Sequence, residues 1–323
     1  MAPPKITTPW LRKATIILAV VGSVALVLLG TYLHPRPEHG SSGFTIDPVF
    51  NLPQPPISTP YSRTSNIICM VVTTVMGFTA VGFGAREARR SKTLLPLVLP
   101  LSGAAIAFPE TFLDVMGCIY YPWSDQNASF HLLGRVMPPW IPIWFAFGGL
   151  MQINLQLLAN NTRTRTLWCF WLFMMLVDLI AEEILLPMGV YRYYGNQPLI
   201  VLGMFPWWWM PANSVGVFLA TALAYRYRDL LVGWKVLAVL CLTPMSVGAV
   251  YGFIAFPSWV AINADYGWLI TQLLGLLTML FGLVAFCIIL EMVLGRDPFD
   301  MQGTSPPDTA QAVGDNGEYH DDV

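Results

Sequence analysis

Long apolar runs separated by short polar stretches dominate the chain, near 13–33, 66–85, 94–116, 137–158, 167–187, 200–224, 231–256 and 267–291. Each is long enough to cross a hydrocarbon core about 30 Å thick. The pattern predicts an all-α fold, a polytopic membrane helix bundle with about eight transmembrane helices. Residues 1–296 are read as one transmembrane helical domain. Within it, the outer loop 34–65 is rich in Pro, Ser and Thr and is placed to act as a lid. Residues 297–323 are polar and acidic without apolar periodicity and read as a disordered tail.

Basic residues orient the bundle, because they collect on the cytoplasmic side. Arg12 and Lys13 precede the first run, which has no small-residue cleavage site and reads as a retained anchor. With the amino terminus inside, only Arg36, Arg63, Arg135 and Arg192 of the 17 basic residues fall outside. Both termini are therefore expected in the cytoplasm. The expected localisation is an integral, multi-pass membrane protein, in the endoplasmic reticulum membrane if the host is eukaryotic. Asn127-Ala128-Ser129 is a glycosylation sequon on the outer side, while the matching Asn160-Asn161-Thr162 falls inside.

Composition agrees with this class. The 323 residues are 55% hydrophobic and 11% charged, with net charge −2, and a mean hydropathy of +0.57. That is too apolar for an ordinary soluble domain. The basic residues are scattered, so no nucleic acid partner is expected. Cys69, Cys118, Cys169, Cys241 and Cys287 show no metal-type spacing, and a disulfide framework is not expected.

Against this background the acids stand out, since an ionisable side chain inside a membrane is costly and marks a functional site by default. Glu110 and Asp114 are four apart, and so are Asp178 and Glu182, which puts each pair on one helical face. Glu183 points about 100° from Glu182, with Arg192 or Arg135 as its expected ion-pair partner. The acids sit in a repeated arrangement. Glu110 is followed by Gly117, Tyr120-Tyr121, Leu133-Gly134 and PPWIP ending at Pro142; Glu182 is followed by Gly189, Tyr193-Tyr194, Leu202-Gly203 and PWWWMP ending at Pro211. Both helices run outward, so the acids fall in the outer half of the membrane.

A carboxyl group in a low-dielectric site beside a second one resists ionisation and serves as an acid. Such an acid can protonate an alkene or epoxide, and electron-rich rings can stabilise the resulting cation by roughly 0.5–2 kcal/mol each. Candidate catalytic residues are Glu110, Glu182, Asp114, Asp178 and Glu183. Candidate substrate-binding residues are Tyr120, Tyr121, Trp140, Tyr191, Tyr193, Trp207, Trp208, Trp209 and Asn213. The competing reading of the rings is an interfacial aromatic belt, and that of the acids is an interhelical hydrogen bond or ion pair. Asn263, Asp265 and Tyr266 read as a solvated last outer loop, and His131 as another loop residue.

The run EEILLPMGVYRYYGNQPLIVLGMFPWWWMP, Glu182–Pro211, resembles carotenoid 1,2-hydratase-type membrane proteins, in which a Glu precedes a Gly-x-Tyr-x-Tyr turn and a Pro-rich start to the next helix. It departs from them at Pro187-Met188, where they carry Pro-Phe. Helix number, length and buried acids resemble the fungal integral-membrane meroterpenoid and terpene cyclases. The resemblance implies an enzyme of meroterpenoid biosynthesis or other secondary metabolism, an isomerase or lyase acting on an isoprenoid lipid. Its partners would be a lipophilic isoprenoid or prenylated small molecule and membrane lipids, with no cofactor and no metal. By the same resemblance Glu182 or Glu183, with Tyr191 and Tyr193, belongs to the active site.

Three other functions stay open. A carotenoid-like hydratase differs only in letting water capture the cation. A magnesium-dependent membrane prenyltransferase would use the acid pairs to hold a diphosphate, but would need basic residues beside them on the cytoplasmic side. A small-molecule transporter fits a duplicated motif with Pro-interrupted helices, although the copies here run in the same orientation.

Overall fold

The computed structural model describes residues 44–50, 52–124, 130–138, 140–141, 145–201 and 203–304, together with Ile17 and Val21. The rest of the first apolar run 13–33, the sequon Asn127-Ala128-Ser129 and the tail 305–323 lie outside the described residues.

The chain is mostly helical. Helix α1 spans Arg63–Ser91, capped at its start by Ser62, whose Oγ accepts from the Ser65 amide, and ending on basic Arg89 and Arg90. The next span is broken into α2 (Leu95–Ser102), a 3-10 turn (Gly103–Ile106) and α3 (Ala107–Gly117). Pro100 and Pro109 each remove a backbone donor from the ladder, and the tighter turn lies between them. Helix α4 covers Phe145–Ala159, α5 Thr164–Leu185, α6 Trp209–Arg226, α7 Val239–Ile254 after a 3-10 turn, α8 Phe256–Ile262 and α9 Trp268–Ile288, which runs on into a π turn to Val293.

Among the described residues four helical segments are long and apolar enough to cross a membrane: Arg63–Ser91, Leu95–Gly117, Gly233–Ile254 and Trp268–Val293. Two apolar runs became helix later than expected. The run 137–158 begins as loop and turns helical at Phe145, and the run 200–224 does so at Trp209. Prolines explain both delays: Pro138 precedes the first start, and Pro198 and Pro206 the second.

Helix α6 is central. It packs against α4, α5, α7 and α9, and most of its side chains are buried. Helix α3 packs instead on α7 and α8, while α5 packs on α6 and α4. The two acid-bearing helices thus pack on different neighbours, and their carboxylates come within electrostatic reach of one another.

Four short strands gather beyond the ends of α3 and α5 that carry the acids. Strands β2 (Phe130–Leu132) and β3 (Arg135–Met137) form a hairpin turned by Leu133 and Gly134, both at positive φ, with exposed His131 on β2. Strand β1 (Ile119–Tyr120) pairs antiparallel with β4 (Arg192–Tyr193), Ile119 opposite Tyr193. The segments after Glu110 and after Glu182 therefore meet edge to edge.

The last outer loop differs from the solvated loop expected of Asn263, Asp265 and Tyr266. Tyr266 is buried, and the buried Asn196 amide donates to the carbonyls of Ala264 and Tyr266 and to Thr271 Oγ1. Asn263 Nδ2 donates to the Met116 carbonyl at 3.1 Å, tying this loop to the end of α3. A buried amide needs its partners, and the loop backbone supplies them. In the loop 34–65, Ile46 bridges Pro53, and the Asp47 carboxylate caps the Val49 and Phe50 amides, which hold its pKa below the usual value. Pro53 and Ile262 both lie against Gly195. Residues 298–303 dock on the start of α5: Trp168 Nε1 donates to the Pro298 carbonyl, and the Thr164 amide to that of Gly303. Buried Arg296 holds the Thr162 carbonyl and Asn161 Oδ1.

Candidate functional site

Helix α3 carries Glu110 and Asp114 and helix α5 carries Asp178 and Glu182, each pair on one face as the four-residue spacing requires. Glu110, Asp114 and Glu182 are buried and Asp178 is half-buried. The four lie in electrostatic reach of one another: Glu110 of Asp178, Asp114 of Glu110 and Glu182, and Glu182 of Asp178. Among the described residues none of them forms an ion pair; Arg135 lies in electrostatic reach of Asp114.

Hydrogen bonds divide the acids into different states of engagement. Glu182 Oε2 accepts from Tyr191 Oη at 2.6 Å and from Tyr193 Oη at 3.1 Å. The turn at Gly189, φ +70°, and the β4 strand bring these phenols back over the end of α5. Asp178 accepts from Asn213 Nδ2 through both oxygens, at 3.1 and 3.0 Å. Glu110 accepts no hydrogen bond among the described residues, and both oxygens of Asp114 are fully buried without a partner. An unpartnered buried carboxyl is costly and marks the part of the cluster that the protein leaves unsatisfied.

Aromatic rings wall this cluster. Tyr121 sits 5.5 Å from Tyr191 and 6.0 Å from Trp140, ring centre to ring centre. Trp140 Nε1 donates to Asn66 Oδ1 at 2.9 Å, which anchors the indole to α1. On the other side the Trp209 ring lies tilted at 4.3 Å from Trp208, 5.8 Å from Tyr193 and 5.5 Å from Tyr251. Trp208 Nε1 donates to Gln197 Oε1, whereas the buried indole N–H groups of Trp207 and Trp209 have no acceptor among the described residues. The rings therefore pack on one another around the acids.

Two candidate residues do something other than face the cluster. Glu183 forms no ion pair with Arg192 or Arg135; its carboxylate accepts from the amides of Met204 and Phe205, both at 3.2 Å. The loop backbone presses on it so closely that a Cβ at Gly203, φ +63°, would fall 1.8 Å from Glu183 Oε2. Fixed amides outcompete a mobile surface arginine for a carboxylate here, since they cost no side-chain entropy. Tyr120 is buried in β1 opposite Arg192, in the β1–β4 pair. For Glu183→Ala we expect a loss of about 1–3 kcal/mol of stability from the two orphaned amides, seen as a lower unfolding temperature in detergent. Any turnover per folded molecule should change little; its abolition would return Glu183 to the chemistry.

The sequence pattern missed several contributors. Tyr251, alone in an apolar helix, donates to Asn213 Oδ1 and lies in electrostatic reach of all four acids. Arg135 Nη2 donates to Tyr194 Oη at 2.5 Å, while its buried Nε has no acceptor among the described residues. Burial pushes the Tyr194 phenol above its usual pKa, with Cys118 adding to the rise and Arg135 opposing it. A polar residue inside an apolar helix was the available signal for Tyr251; nothing local marked Arg135.

Among the described residues no group of three or more His, Cys, Asp or Glu side chains is arranged to hold a metal ion. No family model matches the chain, and no curated protein and no solved structure is significantly similar to it.

Proposed function

We propose that the protein is a multi-pass integral membrane terpene or meroterpenoid cyclase. Its bundle has about eight spans, counted from the apolar runs, and both termini are cytoplasmic. In a eukaryotic host it resides in the endoplasmic reticulum membrane. The observation that carries the activity is the division of labour among the acids. Glu110 is buried with no hydrogen-bond partner among the described residues, Asp114 has both oxygens buried without a partner, and Asp178 and Glu182 are both engaged as acceptors.

A group that gives up a proton must have it free to transfer, and Glu110 meets that condition. Its carboxyl proton adds to a terminal alkene carbon or to an epoxide oxygen of a prenyl chain. A second double bond attacks the cation and closes the ring. A carbon-bound proton then leaves to Asp178, restoring an alkene, so that the product is an isomer of the substrate. Proton transfer from Asp178 back to Glu110, which lies in its electrostatic reach, resets the site. Glu182, fixed by two phenols, and the Trp209 and Tyr121 rings face the travelling positive charge. If water captures the cation instead, the same site acts as a hydratase.

The test is incubation of membranes containing the full chain with prenylated phenols, their epoxides and linear polyenes, and separately with a prenyl diphosphate and a phenol acceptor, with and without a magnesium chelator. The expected result is a cyclised isomer formed equally under both conditions, and its loss in Glu182→Gln. Turnover of a diphosphate substrate that collapses on chelation would replace the cyclase reading with a prenyltransferase.

A further inference from the structure

Asn213 sits between two partners whose chemistry dictates which way its amide points. A carboxylate can only accept, so the Nδ2 end must face Asp178, and both Asp178 oxygens receive it, at 3.1 and 3.0 Å. The Oδ1 end is then left requiring a donor, and Tyr251 Oη of α7 supplies one. The chain runs one way, from phenol to amide to carboxylate, through α7, α6 and α5. At its far end the Tyr251 ring is buried and lies 5.5 Å from Trp209, so the aromatic wall fixes the donor in place.

We propose that Tyr251 is a positioning residue which, acting through Asn213, sets the direction of the Asp178 carboxylate within the cluster of acids carried by α3 and α5. Its consequence for turnover rests on the cyclase reading above; the positioning itself does not. An amide cannot relay a proton in this orientation, because its N–H end faces the acid. Tyr251 therefore acts on where Asp178 points and leaves proton supply to other groups. Removing the phenol takes the donor from the amide oxygen of half-buried Asn213, and the amide is free to turn away from the acid. A base displaced by a fraction of an ångström takes its proton from a different carbon of the cation.

The experiment uses purified full-length protein in detergent and needs no substrate for its first arm. Infrared difference spectra of wild type against Asp178→Asn define the Asp178 carboxylate band. Tyr251→Phe keeps the ring and removes one oxygen; Tyr251→Met is the second removal should the first not yield folded protein. The expected result is that the Asp178 band moves in the Tyr251 variant and in Asn213→Leu, with no further movement when the two are combined. In the second arm, Tyr251→Phe should lower kcat about tenfold or more at little changed KM and shift the product towards other double-bond isomers. An Asp178 band unmoved by loss of the phenol overturns the inference whatever the turnover. A moved band beside wild-type protein that converts no polyene sinks the cyclase reading and leaves the positioning chain standing.

Discussion

Glu110→Gln is expected to abolish product formation, by a factor of about 10² to 10⁴, the range that a positioned general acid contributes. The substitution keeps the volume of the side chain and replaces the carboxyl proton with an amide that cannot be given up. No other acid is poised to take over. Glu182 is occupied by Tyr191 and Tyr193, Asp178 by Asn213, and Asp114 is sealed with both oxygens buried. Because Glu110 makes no hydrogen bond among the described residues, nothing structural is lost with its proton. The variant should accumulate as folded, monodisperse protein, and size-exclusion profiles beside product analysis would show this. Full activity in Glu110→Gln would remove it from the chemistry. A misfolded variant would mean that the residue holds the bundle together instead.

The second large effect is expected at Gly117, where α3 ends. A Cβ there would lie 2.3 Å from Trp209 Cζ2 and 2.6 Å from Cη2. The indole cannot swing aside, since Trp208, Tyr193 and Tyr251 surround it. Nor can the backbone recede freely: the Gly117 carbonyl accepts from Gln197 Nε2 at 2.8 Å, and the same Gln197 holds Trp208. Overpacking of this kind costs about 1–3 kcal/mol, against a gain of at most about 1 kcal/mol from alanine's better helix propensity. Gly117→Ala is thus expected to lower the unfolding temperature and, by displacing Trp209 from the wall, to cut turnover as well. Adding Trp209→Phe should recover much of the stability without recovering the activity. Stability that the smaller ring fails to restore would mean that the clash is not the cause.

The two copies of the repeat show where linear spacing informs and where it misleads. Leu133-Gly134 and Leu202-Gly203 match in sequence, and both glycines do adopt positive φ at a turn. Gly117 and Gly189 also match, yet they serve different ends. Gly189 has φ +70° with open space around it, whereas Gly117 is helical and exists to admit an indole from a residue 92 positions away. The pairing of β1 with β4 joins the two copies, and no pattern within either one announces it.

From the chain alone follow the helical character, the presence of helices long and apolar enough to cross a membrane, and the placing of each acid pair on one face. These depend only on apolar run length and on a 3.6-residue period, which are local properties. The tertiary structure decided that Glu110 and Asp114 are left without hydrogen bonds among the described residues while Asp178 and Glu182 are engaged. It also turned Glu183 towards the amides of Met204 and Phe205 and brought Tyr251 to Asn213. Those outcomes depend on partners brought close by packing from distant parts of the chain. Hydrogen bonds act over about 3 Å, so the meaning of each carboxylate is set by what the fold carries to within that distance.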